Sequence, residues 1–311
     1  MAIQREDVAM QIVWLEEPEC GIVGLVGGKT ANLSRLAAAY PVPLGFCLTT
    51  LAAQQAQETS PRPGEAGSPP LPEALAAALA AAYRTLADRT GSAEPCVAVR
   101  SSAVDEDGQD VSFAGQHDTF LNVSGLDAVA AAVRRCWQSA GTERALDYRR
   151  QHGLQVGGVQ LAVLVQQLIA ADVAAVVFSN NPVTGRSDEV VINASWGLGE
   201  SIVGGTVTPD TYVVAKEDFM VRSRCIGEKQ RMTVPVAGGT REVDVPRLLR
   251  AMPALDDAQA AAMARLACSL EEAMGWPVDI ECAYRERQLF LLQCRPITTL
   301  LMSSGGSFEG R

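Results

Sequence analysis

The chemistry-bearing side chains near the C-terminus fall on two short apolar runs, "VDIEC" and "LQCRP". A charged turn at Arg285 to Arg287 separates the runs, which is typical of a β-hairpin. If Glu281 pairs with Gln293, then Asp279 pairs with Arg295, and period-two alternation puts these four side chains on one face. A one-residue slip would mix polar and apolar sets, so the pattern favours this register. The opposite, core-facing set is then Ile280, Cys282, Tyr284, Phe290, Leu292 and Cys294.

The polar face of this hairpin has the composition of a cation and phosphate site. A carboxylate and an amide carbonyl, as at Glu281 and Gln293, are hard oxygen ligands of the kind that Mg²⁺ prefers. The guanidinium of Arg295 matches a phosphate bidentately. Two acids beside an arginine are also typical of a solvated sheet face with a surface ion pair. We predict a magnesium–polyphosphate site, with Asp279 close to the two metal ligands.

A second candidate lies near the N-terminus, in "VGLVGGKTANLSRL". It resembles a phosphate-binding P-loop, which requires G-x-x-x-x-G-K-[ST]. The first glycine of that motif would fall at position 23, which is Val23, and Gly24 is one residue too close to Lys29. The motif is therefore not a P-loop, and alone it does not identify a nucleotide site.

Composition excludes several classes of protein. The 311 residues carry a net charge of -10 and no long basic run, which argues against nucleic-acid binding. The N-terminus lacks a signal-peptide layout, and the longest apolar stretch is interrupted by Gln166, Gln167 and Asp172. We therefore predict a cytoplasmic protein that does not act at a membrane. No C-x-x-C pair is present, so a zinc or iron–sulfur site built from local cysteine pairs is disfavoured.

The coarse pattern predicts an α+β protein, because helices and strands mix without strict alternation. Helices are predicted in "GKTANLSRLAAAY", "PEALAAALAAAYRTLAD", "LDAVAAAVRRCWQSA", "ERALDYRRQHG" and "DDAQAAAMARLACSLEEAMG". Strands are predicted in "VPLGFCLTT", at Cys96 to Arg100, in "FLNV", on either side of a bend at Gln166 to Asp172, and in "EVVINASW". Residues 57–71 are rich in Pro, Gly and Ser and are predicted to form a surface loop.

Six blocks in order resemble one family. They are "GGKTANL", "VPLGFCLTT", "VAVRSSAVDEDGQDVSFAGQHDTFLNV", "VLVQQLIAADVAAVVFSNNPVTG", "INASWGLGESIVGGTVTPDTYVV" and "PVDIECAYRERQLFLLQCRPIT", within residues 21–299. The chain resembles the N-terminal ATP-grasp domain of the phosphoenolpyruvate synthase and pyruvate phosphate dikinase family, which includes the rifampin phosphotransferases. The resemblance implies a two-lobed ATP-grasp fold over residues 1–299, with lobes at 1–122 and 123–299 and a flexible tail at 300–311.

The resemblance also implies roles for residues on the phosphate side of the site. Lys29 and Arg100 would contact the ATP phosphates. The loop at residues 112–119 would be a lid, with donors at Ser112, Gly115 and Thr119. Arg295 would stabilise charge on the transferring phosphoryl group, so that Arg295, Lys29 and Arg100 are the expected catalytic residues.

On the nucleoside side, the resemblance implies a hinge at Gln166, Gln167 and Leu168, whose backbone groups would read the adenine edge. Glu200 would hydrogen-bond the ribose. Glu281 and Gln293 would hold Mg²⁺, with Asp279 contributing beside them. The cofactors implied are ATP and Mg²⁺.

The chain also departs from the family pattern. His117 stands where the family usually has Gln, and neither His117 nor His152 lies in the context of a phosphorylated histidine. We therefore expect a swivelling phosphohistidine domain or subunit as a partner, which would pass the phosphoryl group to a small-molecule acceptor. Two alternatives are a stand-alone ATP-dependent small-molecule kinase that leaves ADP and a non-catalytic nucleotide-binding regulatory module. Joint presence of the metal ligands and Arg295 argues against the regulatory module.

Overall fold

The computed structural model describes residues 10–58, 70–105, 119–139, 142, 150 and 160–297, and the chain is α+β as predicted. The strands are β1 Ile12–Trp14, β2 Gly45–Leu48, β3 Val97–Ala103, β4 Thr119–Val123, β5 Leu161–Gln167, β6 Val173–Phe178, β7 Glu189–Trp196, β8 Asp210–Ala215, β9 Val221–Cys225, β10 Arg231–Val236, β11 Gly239–Asp244, β12 Val278–Arg285 and β13 Gln288–Pro296. The α-helices are α1 Val23–Ala37, α2 Thr50–Glu58, α3 Glu73–Thr90, α4 Leu126–Ser139, α5 Glu200–Val203, α6 Arg247–Arg250 and α7 Asp257–Met274, and a 3₁₀ turn spans Pro18–Gly21.

The first sheet is antiparallel and five-stranded, in the order β1-β2-β5-β3-β4. Helices α3 and α4 cover one of its faces with apolar side chains at helical spacing, which bury Leu79 and Val133 against Val97 and Val163. Helix α1 contacts β3 and β5 of this sheet and also β13 of the second sheet. The burial of Val26 and Leu33 on α1 therefore joins the two sheets in one core.

The second sheet is antiparallel and six-stranded, in the order β13-β12-β6-β7-β8-β9. Helix α7 packs on it and buries Met263 and Leu270. A capping box between Asp256 and Gln259 begins this helix, and Gly275 ends it in the left-handed conformation with φ of 77°. The predicted end of the helix at Gly275 is thus confirmed.

The predicted boundary between residues 122 and 123 does not coincide with the division of strands between the sheets. Strand β5 lies well beyond residue 122 but pairs with β2 and β3 in the first sheet. Helix α4, which follows β4, also packs on that sheet. The strands pass from the first sheet to the second between β5 and β6.

Several elements differ from the sequence prediction. The strand predicted in "VPLGFCLTT" ends at Leu48, and Thr50 begins helix α2, which was not predicted. Strands β8 to β11 were also not predicted. The predicted helix "ERALDYRRQHG", most of the predicted loop 57–71 and the predicted tail 300–311 lie outside the described residues, apart from Arg150 of that helix and a few residues at the ends of that loop.

Candidate functional site

The C-terminal hairpin has the predicted register at its functional end. Glu281 pairs with Gln293 and Asp279 pairs with Arg295, which confirms that the four polar side chains occupy adjacent rungs. The six residues that were predicted to face the core do not all lie on one face. A β-bulge follows Glu281, so that Cys282 pairs with Leu291 and Leu292 is the extra residue on β13. This extra residue reverses the alternation on β13. The prediction was therefore wrong for two residues: Leu291 enters the core in place of Leu292, and Phe290 pairs with Ala283 on the other face.

Lys29 is placed by a kink in helix α1. Gly27 interrupts the helix with φ of 76° and ψ of 165°. A Cβ atom at Gly27 would lie 2.3 Å from the carbonyl oxygen of Ser102 on β3, so this close approach requires glycine. The Ser102 hydroxyl accepts a hydrogen bond of 3.2 Å from the backbone N–H of Thr30. The helix therefore restarts at Gly28 against β3, which brings Lys29 beside that strand.

A cavity of about 330 Å³ lies between the two sheets. It collects residues from both sheets and from helices α1 and α5, which are far apart in the sequence. The predicted site residues that line it are Lys29, Arg100, Thr119, Gln166, Gln167, Leu168, Glu200, Glu281, Gln293 and Arg295. Ser112 and Gly115 lie outside the described residues.

Arg100 reaches from the first sheet to the polar rung of the hairpin. Its Nη1 lies 3.3 Å from Oε2 of Glu281 and 3.3 Å from Oε1 of Gln293. The side chains of Arg100 and Glu281 are 14% and 25% exposed, so the ion pair is only partly screened by solvent. The buried Nε of Arg100 has no hydrogen-bond partner among the described residues. This N–H is therefore a buried donor that no group of the described residues satisfies.

Asp279 forms an ion pair with Arg295. Its Oδ2 accepts hydrogen bonds from Nε at 2.8 Å and pairs with Nη2 at 2.7 Å. Burial raises the pKa of the Asp279 carboxyl, and the positive charge of Arg295 opposes that rise. Asp279 is not among the residues that line the cavity, and it contacts Arg295 on the side of Nε and Nη2.

The predicted hinge residues line the cavity, and two of their backbone amides donate within the protein. The backbone N–H of Gln167 donates to Leu44 O at 2.8 Å, and that of Leu168 donates to Cys96 O at 2.9 Å. Both amides are therefore occupied within the protein. The Gln166 side chain is also turned inward, with its Nε2 donating to Pro43 O at 3.3 Å. None of the hydrogen bonds among the described residues uses the N–H of Ile169, which lines the cavity directly after this segment.

Comparison with known proteins gives a family match over most of the chain. Residues 67–306 match the family described as "Pyruvate phosphate dikinase, AMP/ATP-binding domain". The chain belongs to this family.

Several proteins are similar in sequence to this chain along almost its whole length. The probable phosphoenolpyruvate synthase of Methanocaldococcus jannaschii is 36% identical over 93% of this chain and 27% of its own length. The phosphoenolpyruvate synthase of Pyrococcus furiosus is 35% identical over 93% of this chain and 44% of its length. The rifampicin phosphotransferase of Streptomyces sviceus is 36% identical over 92% of this chain and 36% of its length. The chain thus spans less than half the length of each of these relatives.

The sequence analysis did not predict the apolar residues that line the cavity. They include Leu121, Ile169, Ala174, Leu198 and Leu292. The sequence carries no signal for them on β6, which reads "VAAVVF" and is apolar at every position, so its cavity-lining and core faces cannot be told apart without the structure.

Two further observations restrict the chemistry of this dikinase-family cavity. Burial raises the pKa of the Cys282 thiol far above its ordinary value, so this lining residue stays protonated and is a poor nucleophile. Within the part of the chain that the structure describes, no group of three or more His, Cys, Asp or Glu side chains could hold a metal ion. No helix among the described residues is long and apolar enough to cross a membrane.

Proposed function

We propose that the chain binds ATP with Mg²⁺ in the cavity between the sheets and transfers a phosphoryl group to a histidine on a partner domain or subunit. One observation carries the proposal. Three cationic side chains from three separate elements, Lys29, Arg100 and Arg295, converge on the cavity that also holds Glu281 and Gln293. Such convergence of positive charge with hard oxygen ligands matches a metal-bound polyphosphate, because phosphoryl transfer is catalysed mainly by positioning and electrostatics.

The apolar half of the cavity supports binding of a nucleobase. Ile169, Leu198 and Ala174 supply flat apolar contact there. An adenine edge needs one donor for its ring nitrogen and one acceptor for its amino group. The amides of Gln167 and Leu168 already donate within the protein, so the N–H of Ile169 is the better donor. The carbonyl groups of the Gln166–Leu168 segment remain the proposed acceptors, and Glu200 the proposed ribose contact.

The charged half of the cavity is the proposed triphosphate site. Lys29 and Arg100 bind phosphate oxygens, and Thr119 is a hydroxyl donor beside them. The fit of a cation rests on the oxygen donors of Glu281 and Gln293, which already attract the positive charge of Arg100. These two residues would hold Mg²⁺, which would supply neutralisation of the phosphate charge.

Arg295 is the proposed transfer residue. Its guanidinium stabilises negative charge that develops as the phosphoryl group passes from the nucleotide to the acceptor nitrogen. Asp279 fixes the orientation of the guanidinium through Nε and Nη2. Orientation before the reaction is what makes such a contact effective, because no reorganisation is then needed in the transition state.

We propose two lobes that follow the sheets, divided near residues 167–173 rather than at residue 122. A domain that extends to residue 299 and a cytoplasmic location remain part of the proposal. The partner carries the phosphohistidine, and the final acceptor is a small molecule. Support for the partner comes from the named relatives, phosphoenolpyruvate synthase and rifampicin phosphotransferase, which are more than twice as long as the stretch they share with this chain.

The test supplies β-³²P-ATP, Mg²⁺ and a separately expressed swivelling-histidine domain from the same genome. Label on the histidine, together with formation of AMP and release of the terminal phosphate of ATP as inorganic phosphate, supports the proposal. Arg295→Ala should lower turnover by about 10² to 10³, the scale for one preorganised electrostatic contact, with a smaller loss of ATP affinity. Arg285→Ala is the matched control, because this arginine lies at the far end of the same hairpin in an exposed pair with Asp172. Formation of ADP with a small-molecule acceptor would favour a direct kinase, and ATP binding without any turnover would favour a regulatory module.

A further inference from the structure

The β10–β11 hairpin belongs to neither main sheet, yet it touches both. Its strands pair only with each other as a two-stranded sheet. On the side of the second sheet, the N–H of Leu198 donates to Thr233 O at 2.9 Å. Gly197 precedes this contact with φ of 77°, and a Cβ atom there would lie 2.4 Å from Thr233 O. The glycine therefore allows the hairpin to lie directly on the turn that leads to Glu200.

On the side of the first sheet, the side chain of Asn122 contacts the hairpin. Nδ2 of Asn122 donates to Val236 O at 2.6 Å and to Gly239 O at 2.7 Å. Val236 and Gly239 are the last pair before the hairpin turn, so the Asn122 amide caps its tip. Asn122 is only 8% exposed, and the two hydrogen bonds use both of its amide hydrogens.

A bulge in β4 directs Asn122 towards the hairpin. Val97 pairs with Val123 while Val99 pairs with Phe120, so β4 has one more residue than β3 between these pairs. Asn122 has φ of 56° within this bulge. Asparagine tolerates the left-handed region better than most residues, and a bulge re-aims the side chains around it.

The base of the hairpin is anchored separately. Lys229 precedes β10, is fully buried and lies 2.5 Å from Oδ1 of Asp210, which is also fully buried. The same Asp210 accepts hydrogen bonds from the N–H groups of Gly227 and Ala254. The ion pair between Lys229 and Asp210, together with the hydrogen bonds to Asp210, holds the base of the hairpin. Loss of the Asn122 contact would therefore release the tip and leave the base in place.

We propose that the β10–β11 hairpin is a strut beside the cavity and that Asn122 is a positioning residue for the nucleoside end of the site. The strut connects β4, whose Thr119 and Leu121 line the cavity, to the turn whose Leu198 and Glu200 also line it. Asn122 thereby fixes the distance between those two segments. The consequence for nucleotide affinity rests on the proposed function, whereas the mechanical role of the strut does not.

The first experiment measures hydrogen exchange without nucleotide. Asn122→Gly removes the amide but retains access to the left-handed backbone conformation. Amides in residues 231–244 and 198–204 should exchange faster by about tenfold or more, the scale for two lost hydrogen bonds. Asn181→Gly is the matched control, since Asn181 also makes several side-chain hydrogen bonds, to Val183, Thr184 and Glu189, but does not line the cavity. Unchanged exchange in Asn122→Gly, or equal acceleration in the control, would overturn the strut.

The second experiment compares two ligands, each with Mg²⁺: ATP and inorganic tripolyphosphate. Asn122→Gly should weaken ATP binding by about threefold to tenfold, the scale for one or two lost hydrogen bonds. Tripolyphosphate binding should change much less, because its cationic contacts, Lys29 and Arg100, lie outside the two segments that the strut joins, and Thr119 is the one phosphate contact on β4. General destabilisation would not separate the two ligands, so equal changes for both, or none for ATP, would overturn the positioning role of Asn122. If the wild type binds neither ligand, the proposed function fails, while the exchange result still decides whether the hairpin is a strut.

Discussion

Arg100 occupies the two oxygens that we assign to the metal, so it should compete with a divalent cation when nucleotide is absent. Its Nη1 lies 3.3 Å from both Glu281 Oε2 and Gln293 Oε1. A cation can bind these oxygens only after the guanidinium moves away. Replacing Arg100 with Met removes the competing charge and retains a long side chain. Arg100→Met should therefore tighten metal binding to the nucleotide-free protein, although it should weaken ATP binding.

The size of the effect follows from the geometry of the ion pair. Two unit charges about 4 Å apart interact by about 4 kcal/mol at the effective dielectric constant that suits sites near a protein surface. Desolvation of both groups offsets much of this attraction, as it does for ion pairs removed from water. A net value of about 1–2 kcal/mol remains, which corresponds to roughly a tenfold gain in metal affinity.

The assay titrates Mn²⁺ as a probe for Mg²⁺ and follows the free ion by electron paramagnetic resonance, without nucleotide. Arg100→Lys retains the charge and should stay near the wild-type affinity. Lys29→Met removes a different cation from the same cavity and measures the general change in electrostatic field. If Arg100→Met binds Mn²⁺ no more tightly than the wild type, or if Lys29→Met gives the same gain, direct competition by Arg100 is refuted.

Three further predictions concern the metal, the helix kink and a buried charge. Glu281→Ala should reduce the rise in melting temperature that Mg-ATP causes more than the rise with metal-free ATP, because ligand binding stabilises the native state by mass action; equal losses would argue against a metal role. Gly27→Ala should lower the free energy of unfolding by more than about 2 kcal/mol, since it combines a left-handed φ with a clash against backbone. Gly24→Ala in the same helix, where a Cβ meets nothing within 4 Å, should be neutral or stabilising in the same denaturant titration. Lys229→Met should cost about 3–5 kcal/mol in that titration, because it leaves a buried carboxylate without its cation; a loss below about 1 kcal/mol would contradict this.

The sequence could predict the functional end of the site because it is encoded locally. The register that joins Glu281 to Gln293 follows from alternation of polar and apolar residues on two adjacent strands, and the structure has it. The bulge that follows was not predictable in the same way, since Leu291 and Leu292 are both apolar and either could face the core. The choice between them depends on the packing of β12 against β6, which joins segments about a hundred residues apart.

Other features depend on contacts between distant segments. The backbone amides of Gln167 and Leu168 donate to the carbonyl oxygens of Leu44 and Cys96, and no local sequence pattern predicts those partners. The β10–β11 hairpin was missed, although "VAGGT" carries a turn signal. Met232, Val234 and Val236 alternate along the first strand but are only half-buried, and the second strand has a single apolar residue, Val243, so the pair carries no complete apolar face.

The position of Arg100 has a consequence for how the proposed ligands act on one another. Arg100 lies on the first sheet, and the oxygens of Glu281 and Gln293 that it contacts lie on the second sheet. On the proposed function, ATP phosphates offer Arg100 a new anionic partner, and a divalent cation offers Glu281 and Gln293 a new positive one. Each ligand therefore removes an obstacle to the other, which makes their binding positively coupled. Coupling free energies are reciprocal, so ATP must tighten metal binding by the same factor as the metal tightens ATP binding. The part of this coupling that arises from exchange of partners by Arg100 should disappear in Arg100→Met, whereas direct attraction between metal and phosphate should remain.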